Sequence, residues 1–203
     1  AYSAWPTGRH ASAWRLPEAF NGGTVDPVYL ADTARAAERG LFDYYFMGNA
    51  ISSTPEAQSS WHNDVFKLEG FTVAAYVAAI TRRIGLVVTV NSSYQDPFDT
   101  ARAVVSLDHL SNGRAGLNIV TGLEGIDAPA QNYGQVKHIS GDAKYRKAQE
   151  FVSIVHQLGD SWEDGYFLDD RAAGRFVDTS KARPIDFAGE FFSVRGPLNL
   201  PRP

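Results

Sequence analysis

The 203-residue sequence contains no cysteine and only one methionine. The absence of cysteine excludes disulfide bridges, thiolate nucleophiles and cysteine-ligated metal sites. No apolar run approaches the roughly 20 residues that a membrane-spanning helix needs. No basic segment followed by an apolar one opens the chain, so no secretion signal is visible. We therefore expect a cytoplasmic protein without membrane contact.

Neither sign of charge dominates the sequence. The 19 Lys and Arg residues stand against 23 Asp and Glu residues, which gives a net charge of −4 at pH 7. Such a chain has no electrostatic reason to bind nucleic acid. A hydrophobic share of 44% and a charged share of 21% are typical of globular proteins and argue against global disorder.

Short apolar runs alternate with helical patterns along the chain. The apolar runs are typical of strands buried on both faces of a parallel sheet, and they lie at 41–47, 85–90 and 114–120. The helical patterns lie at 26–39, 66–80, 96–112 and 142–158. An Asp-Pro pair opens two of these helices, with Asp as the N-cap and Pro in the first turn. This order predicts an α/β fold with right-handed crossovers.

About four strand–helix units fit into the chain, counting a first strand before His10, whereas a closed (β/α)8 barrel needs eight. The pattern leaves open a complete small α/β sheet or an incomplete barrel. We predict a single partial barrel domain over 1–203, with the units in 1–160 and an insertion with a connector in 161–203. Residues 185–194 predict a hairpin around Ala188-Gly189. The carboxylate pairs Glu163-Asp164 and Asp169-Asp170 are expected in a solvated loop.

Polar residues follow three of the predicted strands directly. They are Gly48-Asn49, then 91–94, then Thr121-Gly122, and Asn118 lies inside the last strand. Because ligands bind at the carboxyl ends of parallel strands, we expect these residues to line one pocket. Amide and hydroxyl groups with few charges suit a planar polar heterocycle better than a metal or a phosphate cluster. The alternative for each single residue is a helix cap or a turn.

The five histidines show no metal-ligand spacing, and we predict no metal site. P-loop, GxGxxG, GxSxG and HExxH motifs are absent too. His10, just beyond the predicted first strand, is a candidate acid/base or hydrogen-bond donor. His138 and Tyr145 flank the start of the last predicted helix, whose electropositive N-terminus favours electron-rich groups. The alternative for either histidine is an ordinary loop residue.

Five longer stretches of the sequence are informative when they are taken as a set. They are PTGRHASAWRLP (6–17), ARAAERGLFDYYFM (34–47), the segment 83–122, AKYRKAQEFVSIVHQLGDSWED (143–164) and FAGEFFSVRGPLNLPRP (187–203). As a set they resemble the bacterial luciferase-like flavin-dependent monooxygenases, in the branch of nitrilotriacetate, dibenzothiophene-sulfone and long-chain alkane monooxygenases. The resemblance covers nearly all of this chain but about the first half of the family's length.

The resemblance implies the N-terminal half of a (β/α)8 TIM barrel and a two-component monooxygenase that uses reduced FMN and O2 to oxygenate a small organic substrate. It also implies a separate NAD(P)H:flavin reductase as partner, and a homo-oligomer or a complement to the missing C-terminal half. Carried over residue by residue, the cofactor-binding positions are Asn49, Asn91, Ser92, Asn118, Thr121, Gly122 and Tyr145. His10 and His138 are implied as catalytic residues beside the isoalloxazine or the substrate.

This chain departs from the family pattern at three positions. Family members commonly have a second His where it has Arg9, an acidic residue where it has Asn49, and a Ser where it has Gly122. The alternative to an active enzyme is a truncated chain or pseudo-subunit that only folds and oligomerises. A barrel hydrolase would need paired carboxylates at strand ends, and the predicted rim has none.

Overall fold

A three-stranded parallel sheet forms the centre of the structure. The computed structural model describes residues 10, 12–22, 25–52 and 66–202, so the predicted first strand lies outside the described residues. The strands pair in the order β1-β2-β3, with bounds β1 (Tyr44–Met47), β2 (Gly85–Asn91) and β3 (Ala115–Val120). Met47 pairs with Val88, and Val90 pairs with Ile119. The predicted parallel pairing is therefore confirmed for these three strands.

Helices connect the strands in the predicted alternation. They are α1 (Pro27–Arg39), α2 (Gly70–Ile80), α3 (Pro97–Ser111), α4 (Ala128–Asn132) and α5 (Asp142–Gly159). Both Asp-Pro starts are confirmed, because the carboxylates of Asp26 and Asp96 each accept two backbone N–H groups from the first turns of α1 and α3. Such a cap stabilises a helix by about 1 kcal/mol. Among the described helices, none combines the length and the apolar character needed to cross a bilayer.

Two boundaries differ from the sequence prediction. Strand β1 begins three residues later than predicted, because Leu41 adopts a left-handed φ of 58° and leaves its side chain 82% exposed. Helix α2 begins four residues later than predicted, because the carboxylate of Glu69 accepts the N–H groups of Phe71 and Thr72. The short helix α4 has no counterpart in the prediction.

One face of the sheet packs against the helices. Alternate strand residues such as Leu86, Val88 and Val90 are at most 1% exposed and share a core with Val77 of α2 and Phe151 of α5. The intervening residues point to the opposite face. There the amide of Asn118 donates to Thr89 Oγ1 over 3.2 Å. Thr89, Asn91 and Asn118 thus make this opposite face polar toward the carboxyl ends of β2 and β3.

Two antiparallel hairpins follow α5. The first joins β4 (Phe167–Asp170) to β5 (Arg175–Val177), and the second joins β6 (Phe187–Ala188) to β7 (Ser193–Val194). The second hairpin is confirmed, but its turn comprises residues 189–192, and Ala188 lies in β6 rather than in the turn. The loop predicted around Asp169-Asp170 is wrong, because Asp170 pairs with Arg175 in the first hairpin. Both strands of that hairpin are mostly exposed, so the carboxylates are solvated as expected.

Candidate functional site

The carboxyl ends of the three parallel strands lie at the same end of the sheet. Strands β1, β2 and β3 end at Met47, Asn91 and Val120. The polar residues that follow them therefore leave the sheet at the same end. The structure thus places the segments with Asn49, Ser92 and Thr121 on a single rim.

Polar side chains join the end of β2 to the end of β3. Ser92 is fully buried, and both its backbone N–H and its hydroxyl donate to the carbonyl oxygen of Val120, over 2.9 and 3.1 Å. The hydroxyl of Ser93 donates to the carbonyl oxygen of Thr121 over 2.8 Å. Asn91 accepts the N–H of Ser93 on Oδ1, at 3.0 Å. Its Nδ2 has no hydrogen bond among the described residues, so this amide group remains available as a donor.

Gly122 allows the closest packing at this rim. Its φ is +80°, and a Cβ at this position would lie 2.8 Å from Cε1 of His138 and 3.3 Å from Nδ2 of Asn91. A side chain would therefore be strained by the backbone and would collide with the imidazole. This packing is a physical reason for glycine at position 122.

His138 is paired with Tyr94, which follows β2. The phenol oxygen lies 2.6 Å from Nδ1 of the imidazole, and the two ring centroids are 5.6 Å apart. Tyr133 stacks on Tyr94 with an interplanar angle of 21°. The backbone N–H of His138 donates to Oδ1 of Asp127 over 3.0 Å. The other ring nitrogen, Nε2, is buried and has no partner among the described residues.

The surroundings keep both members of this pair neutral. Burial and the positive charge of Lys144 lower the pKa of His138, and they outweigh the opposing effects of Glu124 and Asp127. Burial and the negative charge of Asp127 raise the pKa of Tyr94. Lys144 is itself held by an ion pair of 2.8 Å with Glu124. At pH 7 we therefore expect an uncharged imidazole beside a protonated phenol.

A cavity of about 800 Å³ opens along the edge of β3 that pairs with no other described strand. Thr121, Gly122 and Tyr145 line it, together with apolar residues of β3 and α5 such as Val152. Tyr145 is 60% exposed, and the Nζ of Lys144 lies 5.0 Å from its ring centroid. Three of the predicted cofactor-binding residues therefore share one cavity.

His10 and Asn49 do not join this group. His10 is exposed, and its Nδ1 accepts the backbone N–H of nearby Ser12 at 3.2 Å. Asn49 is half-buried and lies near the start of α2, where a Cβ built on Gly70 would be 4.0 Å from its side chain. The structure brings Asn91, Ser92, Thr121, Gly122 and His138 together, with Asn118 further down the interior face. The catalytic and cofactor-binding roles of all these residues stay predictions.

Tyr94 belongs to the polar run that the sequence predicts to line a pocket, but no cofactor-binding or catalytic role is predicted for it from the sequence. Nothing local in the sequence indicates its pairing with His138, because the two residues are 44 positions apart. Nothing local in the sequence indicates the ion pair of Lys144 with Glu124 either, because these residues are 20 positions apart. Across the described ranges, no cluster of three His, Cys, Asp or Glu side chains could hold a metal ion.

Comparison with known proteins gives a consistent result. The family described as luciferase-like monooxygenase matches residues 8–203. N-acetyl-S-(2-succino)cysteine monooxygenase of Bacillus subtilis is 40% identical over 97% of this chain and 43% of its own length. Nitrilotriacetate monooxygenase component A of Aminobacter aminovorans is 40% identical over 97% of this chain and 45% of its own. The chain thus spans less than half the length of these relatives.

The fold agrees with this result. A solved structure of a riboflavin lyase with modified FMN and riboflavin has a TM-score of 0.87 at 28% identity, over 98% of this chain and 46% of that one. The parallel strands and their helices are accordingly part of a TIM barrel, and the match covers under half of it. The two sequence relatives are named as monooxygenases, so the predicted enzyme class is confirmed at the level of the family. The chain belongs to the luciferase-like monooxygenase family.

Proposed function

We propose that this chain is the flavin-binding first half of a two-component monooxygenase that uses reduced FMN and O2 to oxygenate a small organic substrate. One observation carries the proposal: the amide Nδ2 of Asn91 and the imidazole of His138 both lie against Gly122 at the carboxyl rim of the sheet. In the described part of the chain, neither Nδ2 of Asn91 nor the buried Nε2 of His138 has a hydrogen-bond partner.

The residues at the rim fit a reduced flavin. Its isoalloxazine ring carries carbonyl and nitrogen acceptors, which amide and hydroxyl donors bind. The missing side chain at Gly122 lets the imidazole of His138 and the amide of Asn91 lie close to the backbone at this rim. When bound, the reduced flavin supplies the electrons that activate oxygen.

The protein's own part is binding, orientation and proton placement. Asn91 would donate from Nδ2 to an acceptor on the ring, and Thr121 would offer its hydroxyl from the wall of the cavity. His138 would hold a proton close to Gly122 without adding a charge, because burial and Lys144 lower its pKa. Removal of water from such a site strengthens each of these polar contacts.

For the whole protein we propose the remaining parts of the reaction system. The chain has the length of a half-barrel, with 1–160 as strand–helix units and 161–203 as an insertion and connector. A separate NAD(P)H:flavin reductase would supply the reduced FMN, since a relative of similar sequence is named as component A of its system. The protein would act in the cytoplasm, as a homo-oligomer or with the rest of its barrel.

The test is an anaerobic titration of the full-length protein with reduced FMN. Asn91→Asp keeps Oδ1 for Ser93 and replaces the Nδ2 donor by an acceptor. We expect its Kd for reduced FMN to rise at least about tenfold, because one hydrogen bond is lost and an unpaired acceptor remains. Asn132→Asp, at an amide that binds the carbonyl of Ile51, is the matched control and should leave the Kd unchanged.

Equal affinity of the wild type and Asn91→Asp would contradict the proposed site. Absence of reduced-FMN binding in the wild type would contradict the proposed function and favour a subunit that folds and assembles without turnover. Oxygenation assays with a reductase and NADH then distinguish binding from activity.

A further inference from the structure

We propose that Tyr94 is a positioning residue that donates its hydroxyl hydrogen to Nδ1 of His138 and so places the imidazole proton on Nε2. Its consequence for the reaction rests on the proposed function. The tautomer itself does not, because it is a property of the protein without flavin.

The geometry holds the imidazole in one orientation. The 2.6 Å contact with the Tyr94 oxygen occupies Nδ1, and Asp127 anchors the backbone of His138. Gly122 packs directly against Cε1. Tyr133 in turn supports the phenol ring from its face. The ring is thus contacted along its Nδ1–Cε1 edge and fixed at its backbone, and rotation would break the bond to Tyr94.

The direction of the hydrogen bond follows from the two groups. Both are uncharged at pH 7, since the pKa of His138 is lowered and that of Tyr94 is raised. A phenol O–H is a stronger acid than a neutral imidazole N–H and is the better donor. If His138 donated instead, the Tyr94 hydroxyl hydrogen would have no acceptor among the described residues. Donation by Tyr94 gives the phenol hydrogen an acceptor, and Nε2 is then the one atom of the pair without a partner among the described residues.

With Nδ1 occupied as an acceptor, Nε2 carries the hydrogen. A buried N–H without an acceptor is rare in folded proteins. An electron-rich oxygen atom is the group that would satisfy it, and at this rim the proposed function supplies one on the flavin, the substrate or the oxygen that reacts between them. Tyr94 would therefore act on the reaction through the tautomer of His138, without touching the flavin.

The experiment reads the tautomer directly by 15N NMR of full-length, flavin-free protein labelled at histidine, with the His138 signals assigned by their loss in His138→Gln. We expect the wild type to be predominantly protonated on Nε2. In Tyr94→Phe, the ratio of the Nε2–H to the Nδ1–H form should fall about fivefold, the equilibrium equivalent of one ordinary hydrogen bond. Tyr133→Phe removes a phenol oxygen from the adjacent ring and should leave the ratio unchanged.

A wild type with the proton on Nδ1 would overturn the proposal, whether or not Tyr94→Phe folds. An unchanged ratio in a folded Tyr94→Phe protein would overturn it too. In turnover, Tyr94→Phe should lower kcat with little change in the Kd for reduced FMN. Failure of the wild type to bind reduced FMN would refute the proposed function while the tautomer measurement still decides this inference.

Discussion

The carboxylate of Glu150 occupies the space that a side chain at Gly189 would need. A Cβ built on Gly189 would collide with both carboxylate oxygens. These oxygens accept the backbone N–H groups of residues 190, 191 and 192 in the turn between β6 and β7, over 2.7 to 3.2 Å. One carboxylate on α5 therefore holds the turn of the hairpin.

Gly189→Ala should destabilise the protein. The new methyl group would push Glu150 away from the turn, and overpacking of this kind costs about 1–3 kcal/mol. Chemical denaturation of the full-length protein measures the free energy of unfolding. Gly159→Ala is the control, because a Cβ there meets nothing within 4 Å and it lies at the end of α5. Equal effects of the two substitutions would show that the Glu150 carboxylate can move aside without a loss of stability.

Arg114 should be essential for the end of α2. Its guanidinium donates to the carbonyl oxygens of Ala78, Thr81 and Ile84 over 2.8 to 3.2 Å. Arg114→Met should lower the free energy of unfolding by about 3 kcal/mol, since it leaves several carbonyl groups without donors. Arg114→Lys should recover only part of this free energy, because an ammonium group lacks the planar array of N–H donors of a guanidinium.

Arg102→Met is the matched control for this measurement. The side chain of Arg102 is half exposed, and its ion pair with Asp99 is 4.0 Å long. Such a pair contributes at most about 1 kcal/mol. A comparable loss in both Met variants would argue against a special role of Arg114.

Stability should fall in acid partly through Glu38. Burial raises the pKa of this carboxyl, but hydrogen bonds from the backbone N–H groups of Arg82, Arg83 and Ile84 outweigh it and lower the pKa below 4.5. A carboxyl with a lowered folded-state pKa contributes stability above its unfolded-state pKa, and this contribution is lost as the pH falls through the folded-state pKa.

Glu38→Gln should therefore be less stable than the wild type at pH 7, with a difference that shrinks below pH 4.5. Free energies of unfolding between pH 7 and pH 3 measure it. Glu18→Gln, at an exposed position without a hydrogen bond among the described residues, should follow the wild-type curve. A pH-independent difference for Glu38→Gln would refute the assigned role.

Gly122→Ala should destabilise the rim by about 2–4 kcal/mol. The left-handed backbone costs about 1–2 kcal/mol for alanine, and the collision with His138 adds an overpacking penalty of similar size. In the double variant with His138→Ala the collision disappears and the backbone cost remains. A double-mutant cycle of unfolding free energies should therefore show a coupling above about 0.5 kcal/mol. Strict additivity would show that the two residues do not compete for space.

Much of the fold was predictable because it rests on local rules. Asp26 and Asp96 cap helices through bonds to residues two and three positions away. The β-branched run in β2 indicates a buried strand by composition alone. The start of β1 was not predictable, because aromatic content there suggested a strand while the backbone of Leu41 turns the chain.

The sequence by itself determined the order of strands and helices, the shared rim at the strand ends and the family. These follow from periodicity, capping and residue identity, which act over a few positions. Only the tertiary structure decided that Tyr94 meets His138, that Glu150 holds the hairpin turn, and that the imidazole fills the space above Gly122. Those contacts join residues 16 to 44 positions apart, and their geometry is set by how the crossover helices and loops pack, which no local pattern encodes.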